Sequence, residues 1–89
     1  MEDKLLVLIK DCETFLDEES LKEVMHFYLH GEYEMSLEGL MIEMINGKNY
    51  PTNISVDSIK ELVVHYRLNT ESVFCYNFWE KFSEWIAKM

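Results

Sequence analysis

Three side chains in the first half of the chain stand at metal-ligand spacing. His26, His30 and Glu34 follow one another at intervals of four residues. On one unbroken helix they would share a face and offer two imidazoles and a carboxylate to zinc. Gly31 falls among them and predicts a helix break there. No fourth ligand stands nearby, whereas a structural zinc site takes four. A histidine near a helix C-terminus, where a cation suits the dipole, is the commoner arrangement. No metal or cofactor is assigned.

Covalent chemistry has less support. Cys12 and Cys75 both lie among apolar residues, without the basic surroundings that activate a thiol. Two cysteines in so apolar a chain predict buried free thiols rather than a disulfide framework. Gly-x-Ser-x-Gly, His-Glu-x-x-His, P-loop and EF-hand patterns are absent from the sequence. Glu34 and Glu38 have the spacing of an acid/base pair, but so does any solvated acidic face. No catalytic residue is assigned, and the chain reads as a binding protein rather than an enzyme.

Charge indicates what it binds. The formal net charge is −9 over 89 residues. The first 47 residues hold twelve acids and three bases, and the remainder five of each. Such a field repels nucleic acid and anionic membrane and attracts a basic protein. Glu34 and Glu38, like charges at i,i+4 with no base between them, predict a counter-ion supplied by a partner. Gly39 costs a helix interior about 1 kcal/mol relative to alanine. Close crossing of a second helix is the favoured explanation; close approach of a partner backbone is the other. The residues expected to meet a partner are Asp17, Glu18, Glu19, Glu32, Tyr33, Glu34, Glu38 and Glu43.

The elements that must carry these residues are helical. Apolar residues at helical spacing predict a compact all-α bundle of about five short helices in a single domain, residues 1–89. Leu5, Leu8, Ile9, Cys12 and Leu16 mark a first helix over 2–16. Leu21, Val24, Met25 and Tyr28 mark a second, capped by Asp17 or Ser20 and ending at Gly31. Tyr33, Leu37, Leu40, Met41 and Met44 mark a third over 32–46, with Gly47 just past its end. Residues 47–55 read as a loop. Ser55, Asp57 or Ser58 starts a fourth helix, with Ser58 and Glu61 at capping-box spacing and Ile59, Leu62, Val63 and Tyr66 buried. Phe74, Phe78, Phe82, Trp85 and Ile86 mark the last, over 71–87. The apolar run Leu5 to Ile9 is too short to span a bilayer and no basic leader precedes it, which predicts a cytoplasmic protein.

Gly31-Glu32-Tyr33-Glu34 with Leu37-Glu38-Gly39-Leu40 and Glu43 resembles small helical bacterial immunity proteins, the MafI-like and CdiI-like proteins of contact-dependent growth inhibition. The length, the loop after the third helix and an aromatic last helix with Phe78-Trp79 fit that resemblance. It implies a stoichiometric inhibitor, forming a 1:1 heterodimer with a toxin domain. The toxins of such proteins are often nucleases, including EndoU-type RNases. The alternative partner is another basic cellular protein, with this chain as a helical adaptor or regulator. On either reading the C-terminal half chiefly builds the core and the N-terminal half presents the field.

Overall fold

The computed structural model describes residues 1–88, which contain five α-helices and no strand. Helix α1 spans Glu2–Cys12 and buries Leu5, Leu8, Ile9 and Cys12. It stops four residues short of the expected end, in a 3₁₀ turn, Glu13–Phe15. The reason lies in the next cap. Asp17 is the N-cap of α2, with extended backbone (φ −71°, ψ 167°). Its carboxylate accepts the Ser20 amide at 2.7 Å. The chain must therefore already be extended at Leu16 (φ −103°, ψ 141°).

Helix α2, Glu18–Leu29, buries only Val24 completely. It ends in a Schellman turn. The Glu32 amide donates to the Phe27 carbonyl at 2.9 Å and the Gly31 amide to that of Tyr28 at 3.1 Å. Gly31 takes the left-handed conformation this turn requires, at φ 74°. The chain then folds back as α3, Tyr33–Gly47, and α2 packs along it. Ser36 makes that packing close: it is fully buried, and its hydroxyl donates to the Val24 carbonyl at 2.9 Å.

Helix α3 is the axis of the fold. It buries Leu37, Leu40, Met41 and Met44, and it touches α1, α2 and α5. Its end differs from expectation by one residue. Gly47 is still helical, and the left-handed position falls on Lys48 (φ 54°). The loop that follows is pinned at two points. Asn53 donates its backbone and side-chain amides to Asp11 at 3.1 and 2.9 Å. Trp85 donates its indole N–H to the Asn49 carbonyl at 2.9 Å and stacks on Tyr50.

Helix α4, Val56–His65, starts at Ser55, whose hydroxyl accepts the Ser58 amide at 3.2 Å. Glu61 therefore plays no part in a Ser58 capping box. It pairs instead with Lys4 of α1, at 3.1 Å. A second Schellman turn closes α4: the Leu68 amide donates to the Val63 carbonyl at 2.9 Å and the Arg67 amide to that of Val64 at 3.0 Å. Arg67 occupies the left-handed position (φ 62°).

The last helix corrects the sequence reading most. Helix α5 spans Phe78–Ala87, not 71–87, and Phe74 lies outside it, half exposed. Phe78, Phe82 and Trp85 close one hydrophobic cluster with the buried faces of α1, α3 and α4 and with Val24 and Leu68. The expected division of the chain into a core-building and a field-presenting half does not hold. Helices α1 and α3 contribute as much of the core as α4 and α5. The C-terminal half also exposes Val73, Phe74 and Tyr76. No helix of the described residues is long and apolar enough to cross a membrane.

Candidate functional site

The eight residues expected at a partner surface do not form one patch. Asp17 is occupied as the α2 cap, and the Ser20 amide holds its carboxyl below the usual carboxylate range. Glu18 and Glu19 are exposed in the first turn of α2, where acids offset the positive end of the helix dipole. Glu32 is half-buried at the N-cap of α3. Glu34 lies beyond it, in an open hollow shared with His65, Tyr66, Arg67 and Glu71.

Tyr33 is not a free surface tyrosine. It is half-buried and its hydroxyl donates to the Glu2 carboxylate. Its ring sits 5.3 Å from that of Tyr28, whose own hydroxyl donates to the Glu2 carbonyl at 3.2 Å. The hydrogen bond to Glu2, aided by desolvation, pushes the Tyr33 hydroxyl up to about 12 from an ordinary 10.0.

Glu38 departs furthest from expectation, because it is fully buried. One carboxylate oxygen accepts the Val73 amide at 2.6 Å; the other accepts those of Phe74 and Cys75 at 2.7 and 2.9 Å. Three convergent N–H groups form an anion-binding concavity, here filled from within the chain. Glu38 thus finds its complement in cis and needs no partner cation. The clash expected between Glu34 and Glu38 is avoided, since one points to solvent and the other to the amides.

This clamp explains residues 69–77. A helix starting at 71 would turn the amides of 73–75 along its own axis. Drawn to Glu38, they instead hold a bend that presents Val73, Phe74 and Tyr76 outward. The Phe74 ring comes to rest 5.9 Å from Phe27 of α2.

Between those rings and α3 opens a pocket of about 170 Å³. Its walls are Phe27, Val24, Ile42 and Phe74, and Gly39 lies among them. Ser20, Glu23 and Glu43 supply its polar lining. The expected close helix crossing at Gly39 is absent: outside its own helical turn, a Cβ there would meet no heavy atom within 4 Å. Of the eight residues, only Glu43 reaches this pocket. Sequence reasoning missed Glu23, Phe27 and Phe74. Glu23 and Phe27 were recoverable as an i,i+4 pair on α2, whereas the exposure of Phe74 depends on the clamp.

The chemical inventory of the described residues is otherwise plain. No three His, Cys, Asp or Glu side chains gather as a metal site. The Nδ1–H of His30 donates to the His26 carbonyl at 2.8 Å. Cys12 and Cys75 are free thiols. Burial, with Asp11 adjacent, pushes Cys12 up to about 12, which makes it a poor nucleophile. Cys75 is only half-buried, contrary to expectation, and its thiol contacts Asn77 Oδ1 at 3.0 Å.

No protein-family model, no curated protein and no solved structure matches this chain.

Two outcomes follow. Glu38→Gln puts an NH₂ group where a backbone donor needs an acceptor, and should cost about 2 kcal/mol; an unchanged urea midpoint would contradict the clamp. Tyrosinate absorbance followed with pH should show a step near 12, and Tyr33→Phe should remove that step. Because folding raises the hydroxyl's pKa, its contribution to stability is complete below pH 10 and is lost as pH rises through about 12.

Proposed function

We propose that the protein is an immunity protein that neutralises a cognate nuclease toxin, an RNase of the EndoU type, by covering its basic cleft in a 1:1 complex. The observation that carries this reading is the state of the acids on α2 and α3. Glu18, Glu19, Glu23, Glu34 and Glu43 are exposed, and the one ion pair among the described residues joins Lys4 to Glu61 elsewhere. Acids not held in ion pairs repel one another and leave a net negative field that a cationic partner relieves. A nuclease must present cations to bind phosphate, so its cleft has the complementary charge. Such complementarity accelerates encounter, which suits an inhibitor that must act before much RNA is cut.

The aromatic bend supports the same reading. Phe74 and Tyr76 stand exposed, Phe74 beside Glu23 and Glu43, and large aromatic side chains are the usual anchors of protein interfaces. Charge on the rim would then govern the rate of association, and the aromatic residues the lifetime of the complex.

Co-expression with a cognate toxin domain should protect cells and yield a complex whose association slows as salt rises. The double variant Glu23→Lys, Glu43→Lys should lower the association rate in stopped-flow mixing by about tenfold or more at low salt. Unprotected cells with no complex would refute the proposal.

A further inference from the structure

Gly39 is the unexplained residue of α3. A glycine within a helix forgoes about 1 kcal/mol relative to alanine, and such positions are ordinarily explained by a neighbour too close for a Cβ. Here no such neighbour exists within 4 Å. What the missing side chain leaves is the pocket between α2, α3 and the bend. Its volume of about 170 Å³ falls below the roughly 300–1,000 Å³ of small-molecule sites and suits a single side chain.

The lining specifies the chemistry of that side chain. Phe27 and Phe74 stand tilted at 43° to one another, with centroids 5.9 Å apart. Ile42 and Val24 complete an apolar wall. Glu23 and Glu43 are exposed acids at the same opening, and neither takes part in an ion pair. An occupant must therefore bear an apolar stem, a flat face that stacks on phenylalanine, and a positive charge with several donors. Arginine has all three. Its guanidinium is weakly hydrated, stacks on aromatic rings and presents five N–H donors to carboxylates. Lysine's ammonium is a strongly hydrated point charge and gains less from the rings.

We infer that the pocket formed at Gly39 receives one arginine side chain of the basic partner, stem against Ile42 and Val24, guanidinium by Phe74 and between Glu23 and Glu43. The inference rests on the proposal that a basic protein docks on the α2–α3 face. It adds a specific seat to that diffuse attraction. Glu38 serves the seat as a positioning residue: by holding the amides of 73–75 it sets Phe74 opposite Phe27.

The test uses the intact protein and a blocked Gly-Arg-Gly peptide, with Gly-Lys-Gly and Gly-citrulline-Gly peptides beside it. Amide chemical shifts of the ¹⁵N-labelled protein report binding. The arginine peptide should give saturable shifts at Gly39, Glu43 and Phe74, the lysine peptide weaker ones, and the uncharged citrulline peptide none there. Gly39→Leu, which fills the space, should abolish them. Gly39→Ala should raise the unfolding midpoint, because its methyl group meets nothing, while weakening arginine binding. Glu43→Gln should weaken that binding by up to about fivefold with the fold intact.

No saturable shift at these positions would overturn the inference, and so would equal responses to arginine and citrulline. Equal affinity for lysine would overturn the assignment to arginine. A toxin complex that forms unchanged with Gly39→Leu would sink the pocket while leaving the immunity reading standing. Loss of the toxin complex in the wild type, with the peptide still bound, would do the reverse.

Discussion

A buried carboxylate must be met by donors, and in this protein that demand shapes the fold from the end of α4 to the start of α5. Moving Glu38 out of water costs far more than a helix of this size could bear if nothing replaced its hydration. Three backbone amides replace it, at 2.6 to 2.9 Å. Hydrogen bonds to a charged acceptor are among the stronger ones a protein makes. They reach 35 to 37 residues along the chain, so they fix a segment that has no regular structure of its own. Breaking them would leave both a carboxylate and three amides to be resolvated in place, which ties the position of the bend to the integrity of α3.

Helix α3 can host such a residue because it is packed on several sides. Leu37, Leu40, Met41 and Met44 meet the core, Ser36 meets α2 through the Val24 carbonyl, and Glu38 meets the bend. The stretch 36–38 is thus wholly buried although two of its three residues are polar. Each polar group is satisfied by backbone, and no buried side-chain polar atom among the described residues lacks a partner. Gly39 follows directly and faces an open space, so the same turn of helix that anchors the bend also forms the pocket beside it. The missing Cβ, Glu43 and, through Glu38, the placement of Phe74 come from the central helix, while Glu23 and Phe27 are supplied by α2.

Much of the fold was legible because apolar spacing is a direct record of burial. Leu5, Leu8, Ile9 and Cys12, then Leu37, Leu40, Met41 and Met44, then Ile59, Leu62 and Val63 are all buried as their periodicity predicts. The Gly31 break was legible too, since only a left-handed residue closes that turn cheaply. The functional surface was less so. Thirteen of the seventeen acids are glutamates, Glu38 among them, and nothing local tells which of them will turn inward; that depends on amides brought near by the path of the chain. The Phe74–Phe78–Phe82 spacing is helical in form, yet a long-range bond outweighs it at Phe74. Tyr33 looked available for contact, but Glu2 lies across the helix interface and takes its hydroxyl. The pocket was hinted at by Gly39 alone, whose cost to the helix was visible and whose purpose was not.

The clamp is the claim on which the bend, the placement of Phe74 and the pocket all depend, and amide hydrogen exchange measures it directly. Val73, Phe74 and Cys75 lie outside every helix and would ordinarily exchange as fast as any exposed loop. With Glu38 accepting from all three, their amides should exchange far more slowly than that of Tyr76, which stands exposed one residue further on. Protection at 73–75 with rapid exchange at 76 is the pattern the structure predicts; equally rapid exchange at all four would contradict it.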